Sequence, residues 1–219
     1  MKTAMIFAAG RGERLRPITD FIPKALCKIN NIPLIEYHVE NLSKAGFERL
    51  VINHAHLGGQ IRQYLGNGSR FGIEICYSPE PPGALETLGG IINALPLLGK
   101  EPFLTVNADI FTDYNFANLK LPAKSLLHLV LVEKPSYNQY GDFGLTKSAY
   151  INNLDKTYTF SGIACYHQEL FKDIKLIRSS ITPLLRQMAL NHKATGEIYK
   201  GTWFDIGTED RLNTCCYKP

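Results

Sequence analysis

Thr3-Ala4-Met5-Ile6-Phe7-Ala8-Ala9-Gly10-Arg11-Gly12-Glu13-Arg14-Leu15-Arg16-Pro17 is the stretch on which the fold turns. Its first part, Thr3–Ala8, is a continuous apolar run, as a strand buried on both faces requires. A loop rich in Gly and Arg follows at that strand's carboxyl end, where open α/β sheets bind their ligands. Gly10 and Gly12 let backbone N–H groups approach phosphate oxygens with no Cβ in the way. Arg11, Arg14, Arg16 and Lys24 add positive charge. Arginine grips a phosphate through paired donors, and lysine acts as a point charge. Two familiar phosphate loops are excluded. The pattern G-x-G-x-x-G needs glycine where Leu15 stands, and G-x-x-x-x-G-K is absent. The segment Met1–Gly10 carries one Lys and no A-x-A site before Arg11, so it reads as a first strand and not a leader.

Further along, Leu34, Tyr37, His38, Asn41, Leu42 and Ala45 fall at helical spacing, and Gly46 stops that helix. Apolar runs predict strands over 50–53, 73–77 and 103–107, separated by helices over 59–65 and 87–95. This order predicts an α/β fold: a doubly wound, mostly parallel, Rossmann-like sheet flanked by helices, with right-handed crossovers. The last third reads differently. Strands over 126–132, 143–146, 158–166, 195–199 and 203–204 enclose one convincing helix, 181–191. That succession predicts a small antiparallel elaboration of the sheet.

Composition narrows the function classes. Hydrophobic residues make up 45% of the 219 and charged ones 20%, which excludes disordered, collagen-like and coiled-coil chains. The length fits a single domain over 1–219. No apolar run is long enough to span a membrane, so a cytoplasmic protein with no membrane partner is expected. The five cysteines (Cys27, Cys76, Cys165, Cys215, Cys216) are odd in number and lack C-x-x-C spacing, which points to reduced thiols. A net charge of +4 is too mild for a nucleic-acid surface but suits a site for a small anion.

Two aspartates stand out. Asp109 follows the strand Phe103-Leu104-Thr105-Val106, so it belongs at the sheet's carboxyl edge. Asp205 follows Trp203-Phe204. Mg²⁺ is commonly held by one or two carboxylates together with substrate phosphates. Plainer readings stay open: a strand-end turn for Asp109, and a helix N-cap for Asp205. The loop Pro79-Glu80-Pro81-Pro82-Gly83-Ala84-Leu85-Glu86-Thr87 should lie beside the Gly-rich loop, or serve only as a rigid Pro-Pro turn. No His, Cys and carboxylate cluster has zinc spacing.

The run Gly10–Pro17, with Thr19 and Pro23-Lys24, resembles the signature of the sugar-1-phosphate nucleotidyltransferases. These enzymes transfer NMP from an NTP to a sugar 1-phosphate and release pyrophosphate. The resemblance extends over essentially the whole chain: Pro33–His38, Val51–Gly58, Gly68–Gly72, Leu85-Glu86-Thr87, Gly141-Asp142-Phe143 and Trp203–Thr208. It is nearest to the short subgroup that couples UTP to N-acetylmuramate 1-phosphate in peptidoglycan recycling. The resemblance implies Lys24, Arg14 and Asp109 as catalytic residues and Mg²⁺ on Asp109 and Asp205. It places the NTP, UTP favoured, on Ala9, Gly10, Arg11, Gly12, Glu13 and Lys24, with the base at Glu80, Gly83 and Thr87. It places the sugar 1-phosphate against Asn107, Gly141, Asp142 and His54. The nucleotide-binding part would cover about 1–115, and the sugar-binding part with the second metal ligand about 116–219. Lys134 of Glu133-Lys134-Pro135 lies earlier than the family's Glu-Lys-Pro motif and reads as a solvated strand-end residue.

Three positions depart from the subgroup's pattern: Ala25 for Pro, His56 for Trp and Leu88 for Gly. Related readings are a mannose- or glucose-1-phosphate enzyme, a cytidylyltransferase acting on phosphocholine, and a non-catalytic nucleotide-sugar sensor. With so few residues after Thr208, a short final helix is expected and no appended domain.

Overall fold

In the computed structural model, which describes residues 1–216, β1 (Thr3–Phe7) lies inside a seven-stranded sheet. The short helix α1 (Ile18–Phe21) and the hairpin β2 (Lys28–Ile29)–β3 (Ile32–Pro33) follow it. Next come α2 (Leu34–Lys44), β4 (Arg49–His54), α3 (Gly58–Leu65), β5 (Glu74–Pro79), α4 (Glu86–Leu98) and β6 (Phe103–Asn107). The second half adds β7 (Ile110–Thr112), β8 (Leu127–Glu133), the hairpin β9 (Gly144–Leu145)–β10 (Ile151–Asn152) and β11 (Tyr158–Tyr166). It ends with α5 (Thr182–Leu190), β12 (Ala194–Ile198), β13 (Trp203–Asp205) and α6 (Glu209–Cys216). The expected final helix is α6, and residues 217–219 lie outside the described residues, as does the side chain of Cys216.

The strand order is β12-β8-β11-β6-β1-β4-β5. From β1 the chain winds outward through β4 to β5, then returns to place β6 on the other side of β1. That reversal is the topological switch point, and it opens a crevice at the carboxyl ends of β1 and β6. The sheet is mostly parallel. β11 runs antiparallel to both β6 and β8. β12, expected as an antiparallel addition, pairs parallel with β8, because α5 carries the chain back across the sheet before it.

Alternation along the strands divides the core. Ala4 and Ile6 face one side with Leu50, Ile52, Leu104 and Val106, against Ile35, Val39 and Leu42 of α2 and Ile61 and Leu65 of α3. Met5, Val51, Leu129 and Leu131 face the other, against Ile91, Ala94 and Leu98 of α4 and Leu185 and Ala189 of α5. A third cluster docks α6 through Leu212 and Cys215 onto Cys27, Ile29, Leu34 and Ile206. Cys27 and Cys165 are buried thiols, and burial pushes Cys165 up to about 12. No described helix is long and apolar enough to cross a membrane. Helix α4 runs past its expected end through Pro96, and the predicted strand over 143–146 shrinks to the two residues of β9. Pro96 has no N–H to donate to the carbonyl four residues back, and the helix ends two residues later, at Leu98.

Candidate active site

The Gly-rich loop is held by its own side chains. Gly12 sits at φ +71°, where a Cβ would lie 2.9 Å from Thr19 Cγ2 and 3.2 Å from Lys24 Cβ. Thr19 Oγ1 donates to the Gly12 carbonyl at 2.9 Å. Arg11 donates to the Thr19 carbonyl at 2.6 Å and pairs with Asp20 at 2.5 Å, so its guanidinium staples the loop shut. Pro23 then presents Lys24, whose ammonium reaches Asp109 Oδ2 at 2.5 Å. The lysine side chain is only 12% exposed and the aspartate 34%, so the pair stands at the mouth of a crevice.

That crevice has a volume of about 850 Å³. Ala9, Gly10, Arg11, Glu13, Lys24, Glu80, Gly83, Thr87, Asn107 and Asp109 all line it, so most of the sequence-selected residues converge. Gly12 acts one step back, through the loop's bend.

A buried bridge that the sequence reading missed fixes the far wall. Asn53, 2% exposed at the end of β4, accepts from the Ala8 N–H at 2.8 Å and donates to Glu80 Oε1 at 2.6 Å. Glu80 Oε2 accepts from the Leu85 N–H at 2.7 Å. Both carboxylate oxygens of Glu80 are therefore spent on tying two loops together. Gly90 of α4 packs on this bridge, and a Cβ there would lie 2.7 Å from Glu80 Oε1. The available signal was a lone amide closing an apolar strand, Leu50-Val51-Ile52-Asn53. His56 also lines the crevice and bonds the Thr19 carbonyl at 3.0 Å. Arg178 reaches the crevice from the loop before α5. There the Ser179 carbonyl accepts from the Leu88 N–H at 2.9 Å, and Thr87 Oγ1 accepts from the Ile181 N–H at 3.0 Å.

Asp205 comes next to Asp109 through pairing of β7 with β13. Asp205 stands opposite Ile110, and the Ile206 N–H donates to the Asp109 carbonyl at 2.9 Å. The Asp205 carboxylate holds Arg211 at 2.7 Å and opens toward a second hollow of about 540 Å³. Lys134 lines that hollow, partly buried, and donates to the Asn138 carbonyl at 2.6 Å. This corrects its reading as a solvated strand-end residue: the turn after β8 folds the side chain inward.

Both aspartates offer the oxygen donors that a hard divalent cation takes, Asp109 on the crevice and Asp205 on the second hollow. Their donors are carboxylate oxygens, and each already attracts a cation, Lys24 or Arg211, as a stand-in. Two carboxylates leave the remaining coordination to substrate phosphates.

Four expectations land elsewhere. His54 is buried behind the wall, because strand alternation turns Asn53 and Ala55 to the crevice and His54 away. It packs on Gly58 and edge-on to Tyr77, and burial lowers its pKa, with the charge of Arg62 adding. Arg14 projects over Gly207, away from the crevice. Gly141 donates to the Lys156 carbonyl at 2.9 Å, and Asp142 Oδ2 accepts from the Phe160 N–H at 2.9 Å. Both therefore fasten this segment to residues at and just before the start of β11.

The comparisons agree with this geometry. The family model described as nucleotidyl transferase matches residues 3–217. An N-acetylmuramate alpha-1-phosphate uridylyltransferase of Neisseria meningitidis serogroup B is 46% identical over 218 residues, covering 95% of this chain and 94% of the relative. A Caulobacter vibrioides protein of the same description is 28% identical, covering 94% and 92%. The structure of HddC from Yersinia pseudotuberculosis superposes with a TM-score of 0.81 at 20% identity, covering 99% of this chain and 98% of that one, a likeness of fold. Sequence match and crevice agree from β1 to α6: the chain belongs to the nucleotidyl transferase family.

Proposed function

We propose that this chain transfers the uridylyl group of UTP to N-acetylmuramate 1-phosphate, forming the UDP-sugar and releasing pyrophosphate. The carrying observation is the convergence of the Gly-rich loop, the Lys24–Asp109 pair and the Glu80–Thr87 loop on one crevice at the switch point. The Neisseria relative, similar end to end, supports the choice of base and acceptor.

The acceptor phosphate is already anionic at neutral pH, so no side chain has to remove a proton. Catalysis then rests on placement and charge neutralisation. Backbone N–H groups of Gly10, Arg11 and Gly12 cradle the triphosphate. Lys24 offsets the negative charge that gathers as the α-phosphate passes between oxygens. Asn107, at the end of β6, orients the sugar. Asp109 and Asp205 hold Mg²⁺, which when bound supplies positive charge against the phosphates.

A pyrophosphate-release matrix tests this reading. UTP, dTTP, CTP and GTP are each paired with N-acetylmuramate, glucose and mannose 1-phosphates and with phosphocholine. The fastest release is expected for UTP with N-acetylmuramate 1-phosphate. Preference for CTP with phosphocholine overturns the acceptor class. Nucleotide binding with no release from any pair overturns the enzyme reading in favour of a sensor.

A further inference from the structure

We infer that Arg211 is the resident counter-ion of Asp205, and that a divalent cation gains this carboxylate only by displacing the guanidinium. The inference rests on the reading of Asp205 as a metal ligand and concerns what controls access to it.

Arg211 lies outside the Trp203–Thr208 motif, on the first turn of α6, and its helix is anchored independently by Leu212 and Cys215. Its Nη1 lies 2.7 Å from Asp205 Oδ2, and its guanidinium carbon lies 3.6 Å from the Tyr137 ring centroid. The ring clamps the planar group from one face, and the carboxylate holds its edge. The side chain is only 25% exposed, so solvent screens the contact incompletely. A second guanidinium is close by. A Cβ on Gly207 would lie 2.9 Å from Arg14 Nη2 and 3.0 Å from Arg211 Nη1, so the bare glycine leaves room for both. Lys134 and Lys200 line the same hollow.

An added cation at Asp205 would therefore meet fixed positive charge at contact distance, which weakens its binding. Anionic substrates reverse the balance by giving the guanidinium another partner. Metal loading becomes coupled to substrate loading, and the ligand-free protein takes up little free divalent ion. Arg211 is thus a positioning residue that sets the order of assembly.

The test is Mn²⁺ binding to the ligand-free protein, read from the EPR signal of free Mn²⁺. Arg211→Gln is expected to bind Mn²⁺ about tenfold more tightly than the unaltered protein. Tyr137→Ala, which only loosens the clamp, is expected to move the same way by less, and Arg211→Lys to stay near the starting affinity. Structural damage would weaken binding, so a gain is specific to removing the counter-ion. Adding Asp205→Asn to Arg211→Gln is expected to cancel the gain, and a gain that survives it overturns the inference. No gain in either Arg211→Gln or Tyr137→Ala also overturns it. The metal reading is judged separately, with UTP present. If Asp205→Asn weakens Mn²⁺ binding there, that reading stands whatever Arg211 does; if it does not, that reading fails.

Discussion

Lys24 and Asp109 neutralise each other in the ligand-free crevice at 2.5 Å, so removing either leaves the other charge poorly compensated as well as absent from the reaction. Lys24→Ala and Asp109→Asn are each expected to lower kcat/KM by about 10²-fold or more, the scale of losing a principal electrostatic group. Steady-state pyrophosphate release measures it, and near-normal turnover in either variant removes that residue from the mechanism. Beneath this pair, His38 on α2 bonds the Ile110 carbonyl at 2.8 Å while its Nδ1 is buried without a partner. Burial holds its pKa down at about 4, outweighing the Ile110 bond and the Asp109 charge. The folded state thus keeps His38 neutral where the unfolded chain, with a value near 6.5, takes up a proton. Stability is full above pH 6.5 and falls as pH drops toward 4, by about 1.4 kcal/mol per unit where one proton separates the states. Urea midpoints across that window should show the slope, and His38→Gln should reduce it.

At the scale of elements, the loops around the crevice are set by a few polar ties and not by packing. Asn53 joins the end of β1 to the loop after β5 through Glu80. Asn53→Ala leaves the Ala8 N–H and a Glu80 oxygen unpaired, at a cost of about 1–3 kcal/mol. The expected signature is a lower Tm together with a raised KM for the nucleotide, since both loops shift. The Gly-rich loop has a different weakness. At φ +71°, with Thr19 Cγ2 2.9 Å from a would-be Cβ, Gly12→Ala must move either Thr19 or the loop. Nucleotide affinity, followed by calorimetry, is expected to drop about tenfold or more while the thermal midpoint falls modestly, because the strain arises where half-buried Gly12 meets Thr19 and not in the sheet. A large Tm loss with unchanged affinity would contradict this division.

The whole molecule rests on a sheet covered on both faces, and β1 lies inside it, two strands in from the β5 edge. Ile6 is fully buried between β4, β6 and the helices α2 and α3. Ile6→Ala is expected to cost about 2–5 kcal/mol in chemical denaturation. It should depress nucleotide binding only in proportion to the unfolded fraction, since its side chain faces the core and not the crevice. The antiparallel β11 gives the second half of the chain its place. It joins β8 to the parallel half, and the β7–β13 ribbon then brings Asp205 beside Asp109 from almost 100 residues away in sequence.

Sequence by itself determined what local chemistry dictates. The apolar run of β1, the helical spacing over 34–45 and the β-α alternation carry their periodicity in neighbouring residues, so the doubly wound core was legible. That the Gly-rich loop, Lys24, Asp109 and the Glu80–Thr87 segment meet at one crevice was legible too, because strand ends place residues without long-range knowledge. Tertiary structure alone decided the rest. Strand register sent His54 into the wall and Asn53 to the crevice, a choice of face that a one-residue shift reverses. Packing of α6 brought Arg211 to Asp205, and the turn after β8 brought Lys134 inward. Both contacts are short in sequence, six and four residues apart, but they depend on helix docking and turn geometry that no periodicity in the chain signals. Their energy comes from burial and charge that exist only once the sheet has closed around them.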